Sequence, residues 1–454
     1  MKRLSMILGL VGMMTAPLYA LDIAATAGEL GKQLETLRAT GDTRVKLTGS
    51  VNSDELLLLR QLPRTVRELD LSALTVTDGL LPEGMIMSTA VTSVALPATG
   101  ELTIGQMAFA DTDLQSIAIP ASVRKIGDYA FASCPELTKV SIPQAVVLGT
   151  GVFKDCAKLT SVTLWPDIHD IPAMTFDGCK SLDMAIPATV NTIGDEAFRG
   201  TAMTVANLDN VVSVGKYAFA DVPTLQEISM SSTSGITLGE GAFFNNELQA
   251  NIPRWEGAVN DGVFAQNHGT IDWIVDSETI GAGAFANNSK ASEITLGENV
   301  REIRKHAFRN MTALTAVHVN ELGANVPAVD PEAFSGLEDD DNNYPITLTV
   351  ASGTKADWAS DPVWGRFKIK DDSTQTGILD FDGDVKIDIK RMGADVKVTS
   401  DHEIESVSVY DLAGLKLMEA NPGTESYTVS DIAGQGVIVV KVQSGGRSKI
   451  VKLM

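Results

Sequence analysis

Cys134, Cys156 and Cys179 lie 22 and 23 residues apart, and Asn246, Asn267 and Asn288 follow at intervals of 21. Three spaced thiols invite a metal or redox reading. Zinc needs four converging ligands, however, and the chain has only three cysteines. Side chains on successive repeats run parallel, which does not favour disulfides either. Interchange of Cys and Asn at one slot points instead to a structural ladder that meets turn backbone groups. His169, His268, His306, His318 and His402 share no repeating position. No Gly-x-Ser-x-Gly elbow, His-Glu-x-x-His pair or phosphate loop occurs, so the chain reads as a non-enzyme without cofactor or metal. "DFDGD" at 380–384 reads as a hairpin turn, because Gly383 is misplaced for a calcium loop and Arg391 stands where its bidentate Glu belongs. "EDDDNN" at 338–343 reads as a solvated insertion.

The six Cys and Asn residues each follow a phenylalanine by three positions. Phe131, Phe153, Phe176, Phe243, Phe264 and Phe285 join Phe109, Phe198, Phe219, Phe308 and Phe334 in a set of eleven anchors. Their spacing is 21 to 24 residues, widening to 26 at the last step. A period in the twenties means a solenoid. Before the anchor runs Val-x-x-Ile-Gly-x-x-Ala-Phe, as in Val123, Ile126, Gly127, Ala130 and Phe131. After it come Leu137, then Val140 and Ile142 at strand alternation, then Pro143. Alternating Val and Ile argue for a strand with one buried face, Gly for a bend where a Cβ is unwelcome, and Pro for a strand end. Each coil is thus one principal strand, a shorter second extended segment and turns. Coils stacked at about 4.8 Å share a continuous core, which the Phe ladder fills, and eleven extend for about 50 Å.

The core Ile-Gly-x-x-Ala-Phe-x-x-Cys-x-x-Leu-x-x-Val-x-Ile-Pro at 126–143, with its echoes, resembles the BspA-like leucine-rich repeats of bacterial surface antigens. The resemblance runs over roughly 65–370 and weakens near Phe243 and Phe264, where the strand register shifts. It implies a surface protein that adheres to host proteins or neighbouring cells. The fold expected is mainly β, a leucine-rich-repeat β-solenoid at 66–370 behind a small helical N-terminal cap at 21–65. In that cap Leu30, Leu34 and Leu37 recur at helical spacing, Val45–Leu47 forms a strand, and Asn52 with Glu55 caps a second helix through Leu62. Trp358 and Trp364 are placed to cover the last coil.

Residues 1–20 read as a secretory signal peptide: Lys2 and Arg3, an apolar run from Leu4 to Met14, and a small-residue exit at Ala20. That run is about half of what a membrane span needs. Removing the leader takes two positive charges and moves the formal charge from −22 to −24, which repels nucleic acid. A polar linker at 371–378 leads to about seven short strands in 379–454, the pattern of a C-terminal immunoglobulin-like β-sandwich. There "SVSVYDLAGLKLME" (406–419), "IAGQGVIVVKV" (432–442) and the terminal "KIVKLM" resemble the sorting domain of type IX secretion cargo. Ile438 stands where that family usually has Tyr, and no Pro-Asn-Pro opens the segment. This resemblance implies passage to the outer face of an outer membrane, or release, with the secretion machinery as a partner.

Outward strand positions, among them Lys139, Ser141, Ser161, Thr163, Glu227, Ser229, Glu293, Thr295 and His318, are small or charged and carry no aromatic stripe. They suit protein contact more than a small ligand. The expected partner is a protein on a host or neighbouring cell. A glycan partner, with Trp165 and Trp255 as stacking candidates while Trp273 falls at an inward strand position and reads as core, and a structural surface-layer role are the alternatives.

Overall fold

The computed structural model describes residues 20–25, 28–40, 42–230, 235–249, 255–270, 272–319, 322, 325–371, 387–392, 395–410, 416–430, 438–444 and 447–453. The leader before Ala20, the 372–378 part of the linker and the turn at 380–384 lie outside the described residues. The chain forms two compact units, one reaching Thr349 and including Ala356–Lys370, the other Val350–Lys355 with Asp371 onward.

The larger unit stacks coils through two rows of short parallel strands. The principal row includes Ser116–Ala118, Lys139–Ser141 and Ser161–Thr163, with Val140 paired to both Ile117 and Val162. It also includes Val205–Asn207 with Glu227–Ser229, and Trp273–Val275, Glu293–Leu296, Ala316–His318 and Tyr344–Val350. The second row runs from Leu80–Leu81 to Ala328–Val329, lying ahead of the anchor in each coil. Val140 and Ile142 are fully buried while Lys139 is exposed, so the alternation separates core from surface within three residues.

Between the rows, each anchor sits in a turn of alternating handedness. From Ile86 to Phe308 the residues two before and two after the anchor have left-handed φ, as at Tyr129 (55°) and Ser133 (55°) around Phe131. The alternation points successive N–H groups along the stack: Tyr129 donates to Thr150, Phe131 to Val152 and Ser133 to Lys154 at 2.7–3.0 Å. A twelfth coil appears here. Ile86 takes the anchor position 23 residues before Phe109 and donates to Ala108 as Phe109 does to Ala130.

The glycine after the second-row Ile or Val has an ordinary φ, so close approach rather than a special turn accounts for it. A Cβ at Gly105, Gly127, Gly194, Gly215, Gly239 or Gly281 would lie 2.4–2.8 Å from backbone of the preceding coil.

At the N-terminal end, helix Leu30–Thr40 and strand Arg44–Val51 occur, and Asn52 with Glu55 forms a reciprocal capping box on Ser53–Leu56, followed by a 3-10 turn to Gln61. One element was not anticipated: Ala20–Ala25 is a parallel strand against Arg44–Val51, in register Leu21 with Val45. At the other end Trp364 and Phe367 meet the Phe334 ring edge-on at 5.5 and 5.0 Å, and Trp358 packs on Trp364.

The smaller unit is antiparallel. Where about seven short strands are expected, six form among the described residues, one of them the long, unbroken Asp395–Tyr410. Its first half lies between Ile387–Met392 and Thr424–Val429, and its second between Lys416–Ala420 and Ile438–Ser444. The register shifts near Ile404, where the buried Ser444 hydroxyl lies 3.0 and 2.9 Å from the His402 and Glu403 carbonyls. A bulge of this kind re-aims the strand, and Val396, Val398, Val407, Val409, Val440 and Val442 share one core.

Gly215→Ala is expected to lower stability by about 2 kcal/mol or more, because the clash is with backbone rather than a yielding side chain. Thermal melts of the two proteins check this; an unchanged midpoint would contradict the close-approach account.

Candidate functional site

The eleven anchors Phe109 through Phe334 are fully buried, and every consecutive pair is stacked, with centroids 5.1–5.9 Å apart. Interplanar angles stay between 1° and 25°. Such spacing is the offset stacking that the ring quadrupole favours.

The slot three residues later places small polar groups beneath these rings. Cys134, Cys156 and Cys179 donate from Sγ to the carbonyls of Phe109, Phe131 and Phe153, one coil back, at 3.3, 3.2 and 3.1 Å. Asn246 donates at 3.0 Å to Phe219 and to its own Phe243, and its Oδ1 accepts from Val222 N. Asn267 and Asn288 accept from the main-chain N–H of Leu248 and Asn267. Thr112 and Thr201, in the same slot, bond the carbonyl of their own coil's anchor. Those threonines share the anchor offset and were visible in the sequence on that signal alone.

All three thiols are free and buried. Burial pushes Cys179 up to about 12. Cys156 is raised well above its ordinary value by its hydrogen bond with Cys134 and by burial. A thiol that keeps its proton is neither a good nucleophile nor a ready metal ligand. Among the described residues no group of three or more His, Cys, Asp and Glu side chains is arranged to hold a metal ion.

The histidines serve separate local contacts: His169 with the Thr189 carbonyl, His268 with Asn245, His306 with Glu332, and His318 at 3.6 Å from Glu293. The neighbouring His318 imidazole holds the Glu293 carboxyl below its usual range against the opposing effect of burial. The acidic insertion is tied down internally. Asp339 accepts from Asp341 N and Asn343 N, and Arg366 grips Asn342 while lying 3.6 Å from Glu338.

On the outward side of the principal row Lys139, Ser161 and Thr163 are exposed, and Ser141, Glu227, Ser229, Glu293, Thr295 and His318 half-buried. The stacking candidates fare differently. Trp255 and Trp273 are each 1% exposed, both against the Phe264 ring, at 5.3 and 4.7 Å. They fill the coil where the repeat pattern lapses, so Trp255 is core rather than a surface platform; Trp165 alone of the three is half-buried. A recess of about 330 Å³ opens near Asn260, Glu278, Thr279 and Arg304. Several of its polar groups are committed internally, Asn260 to the Leu238 carbonyl, and Thr279 and Arg304 to Glu302.

Parallel coils built from one ladder-forming turn and two short strand rows, with reactive groups locked into backbone bonds, define a leucine-rich-repeat β-solenoid. The family model described as "BspA type Leucine rich repeat region" matches in six copies over residues 81–204, 148–270 and 201–315. These spans together take in just over half of the 454 residues, and the chain belongs to that family. A leucine-rich repeat protein from Bacteroides ovatus ATCC 8483 has the same fold, with 23% identity and TM-score 0.53 over 72% of this chain and 84% of its own. A leucine rich cell surface protein from Faecalibacterium prausnitzii A2-165 matches at 17% identity and TM-score 0.36, over 72% of this chain and 84% of its own. The pneumococcal vaccine antigen PcpA matches at 14% and 0.38, over 72% and 79%. No curated protein matches the chain. Among the described residues no helix is long and apolar enough to cross a membrane.

Alkylation of the native protein at pH 8 is expected to leave all three thiols unmodified, with full labelling after denaturation, as intact mass reports. Because the Cys179 thiol is raised in the folded state from 9.0 to about 12, the unfolded chain loses its proton first. Stability should therefore fall as pH climbs from 9 towards 12, and Cys179→Ser should flatten part of that fall.

Proposed function

We propose that this chain is an exported, non-enzymatic repeat protein, displayed on the cell surface or secreted, that binds other proteins along its principal-strand face. The observation that carries this reading is the segregation of side chains. Large apolar and aromatic groups stack inward, while the principal row turns Ser116, Lys139, Ser141, Ser161 and Thr163 outward as a broad surface of short polar groups. A surface of that kind meets a partner by shape and many hydrogen bonds rather than by enclosing a small ligand. Adhesion to host or neighbouring-cell proteins is the use that best suits it. A glycan platform is less well supported, since Trp255 and Trp273 are inside.

Export rests on the leader pattern at 1–20, and surface delivery on the sorting-like motifs of 406–454. Binding to immobilised host matrix proteins should be saturable for the full chain and fall at least tenfold for Ser116→Arg with Ser141→Arg, while Lys125→Ala in the second row leaves it unchanged. Absence of saturable binding, or equal loss in both variants, would count against the face. Separately, protease shaving of intact cells should remove the full-length protein but spare a form ending at Gly377. Equal shaving of both forms would sink the sorting role.

A further inference from the structure

One coil departs from the ladder on both strand rows. The residue after each second-row strand donates its N–H to the last strand residue one coil back: Gly127 to Ile104, Gly149 to Ile126, Gly194 to Ile171 and Gly215 to Ile193, each at 2.8 Å. Arg304 and Asp330 make the same bond without being glycine. In the coil anchored by Phe176 this position is Pro172, which has no N–H to give to Leu148. The second row accordingly ends at Val147–Leu148, and Asp170–Ile171 pairs only forward, with Thr192–Ile193.

The principal row is interrupted at the same place. Ser161–Thr163 is the last strand of its sheet, and pairing resumes at Val205–Asn207. Leu182 to Pro187 is one residue shorter than Leu137 to Pro143. A one-residue slip exchanges the two faces of a strand, and this segment forms none.

The turn side stays joined. Gly151, Phe153 and Asp155 donate to Ala173, Thr175 and Asp177 at 2.9, 3.0 and 2.7 Å, and Cys179 reaches the Phe153 carbonyl. Even so, the Phe153–Phe176 step is the widest in the ring stack at 5.9 Å, and Phe176–Phe198 the most tilted at 25°.

We propose that the solenoid carries a hinge between the coils anchored by Phe153 and Phe176, about which its two segments tilt, parting the strand rows while the turn ladder remains closed. Pro172 and the shortened strand create it. Between the other coils at least one strand row carries bonds across among the described residues and resists bending in that direction; here neither row does. The motion changes the curvature of the principal face, and it is a property of the fold whether or not that face binds protein.

Spin labels on paired cysteines test this in the full chain, since the three native thiols are buried. Ser161→Cys with Val205→Cys spans the break by two coils; Ser116→Cys with Ser161→Cys spans two intact coils, and all three positions are exposed. Pulsed electron resonance should give a distance distribution at least twice as broad for the first pair. Pro172→Gly, which restores the donor, should narrow it towards the second. Equal widths in the two pairs overturn the hinge. A broad distribution unchanged by Pro172→Gly overturns the role given to the missing bond.

Discussion

The distance between coils is the constraint on which everything else depends. It is set by turns in which right- and left-handed residues alternate, so that main-chain donors point along the axis and meet carbonyls of the next coil. Left-handed φ is unfavourable for residues such as Met107, Tyr129 and Glu196, by about 1–2 kcal/mol in regular structure. The ladder of bonds and the packed rings offset that strain. Once the pitch is fixed, the Phe rings must stack, most positions beside the second row favour a residue without a Cβ, and the slot after the anchor favours a small donor or acceptor. The three features are one requirement seen at three positions.

The same requirement decides what the sequence discloses. A buried Phe every twenty-odd residues is legible because one coil tolerates few other shapes, and the capping pair Asn52 and Glu55 is legible because its chemistry is local. The coil at Ile86 is hidden by a volume-tolerant exchange at the anchor. Tyr129 and Tyr217 give no sign of positive φ, since no residue type there announces it. Trp255 reads as a surface aromatic because the pattern around it lapses; its burial follows from a ring on the neighbouring turn. In the smaller unit, nothing in Thr399 to Ser406 tells a turn from a bulge, and a hydroxyl distant in sequence, Ser444, accompanies the choice.

For the site, residue types narrow the chemistry more than spacing does. Three thiols in register resemble a reactive cluster until their partners are known. Each then proves to be a donor to a phenylalanine carbonyl, interchangeable with the amide of Asn246 or the hydroxyl of Thr201. What is left for function is the outer side of the strands, where side chains are free of the ladder's demands. Variation there does not disturb the pitch, so recognition and folding draw on different columns of the same repeat.

The sulfur ladder has one more implication. Because no covalent crosslink ties its coils and the thiols are sealed among the rings, folding needs no oxidant and no enzyme to sort pairings. Reductants find nothing to cleave, and dissolved oxidants do not reach the buried sulfurs. The durability of this scaffold is therefore indifferent to the electron balance of its surroundings, a tolerance that a disulfide-stitched domain of equal length does not have.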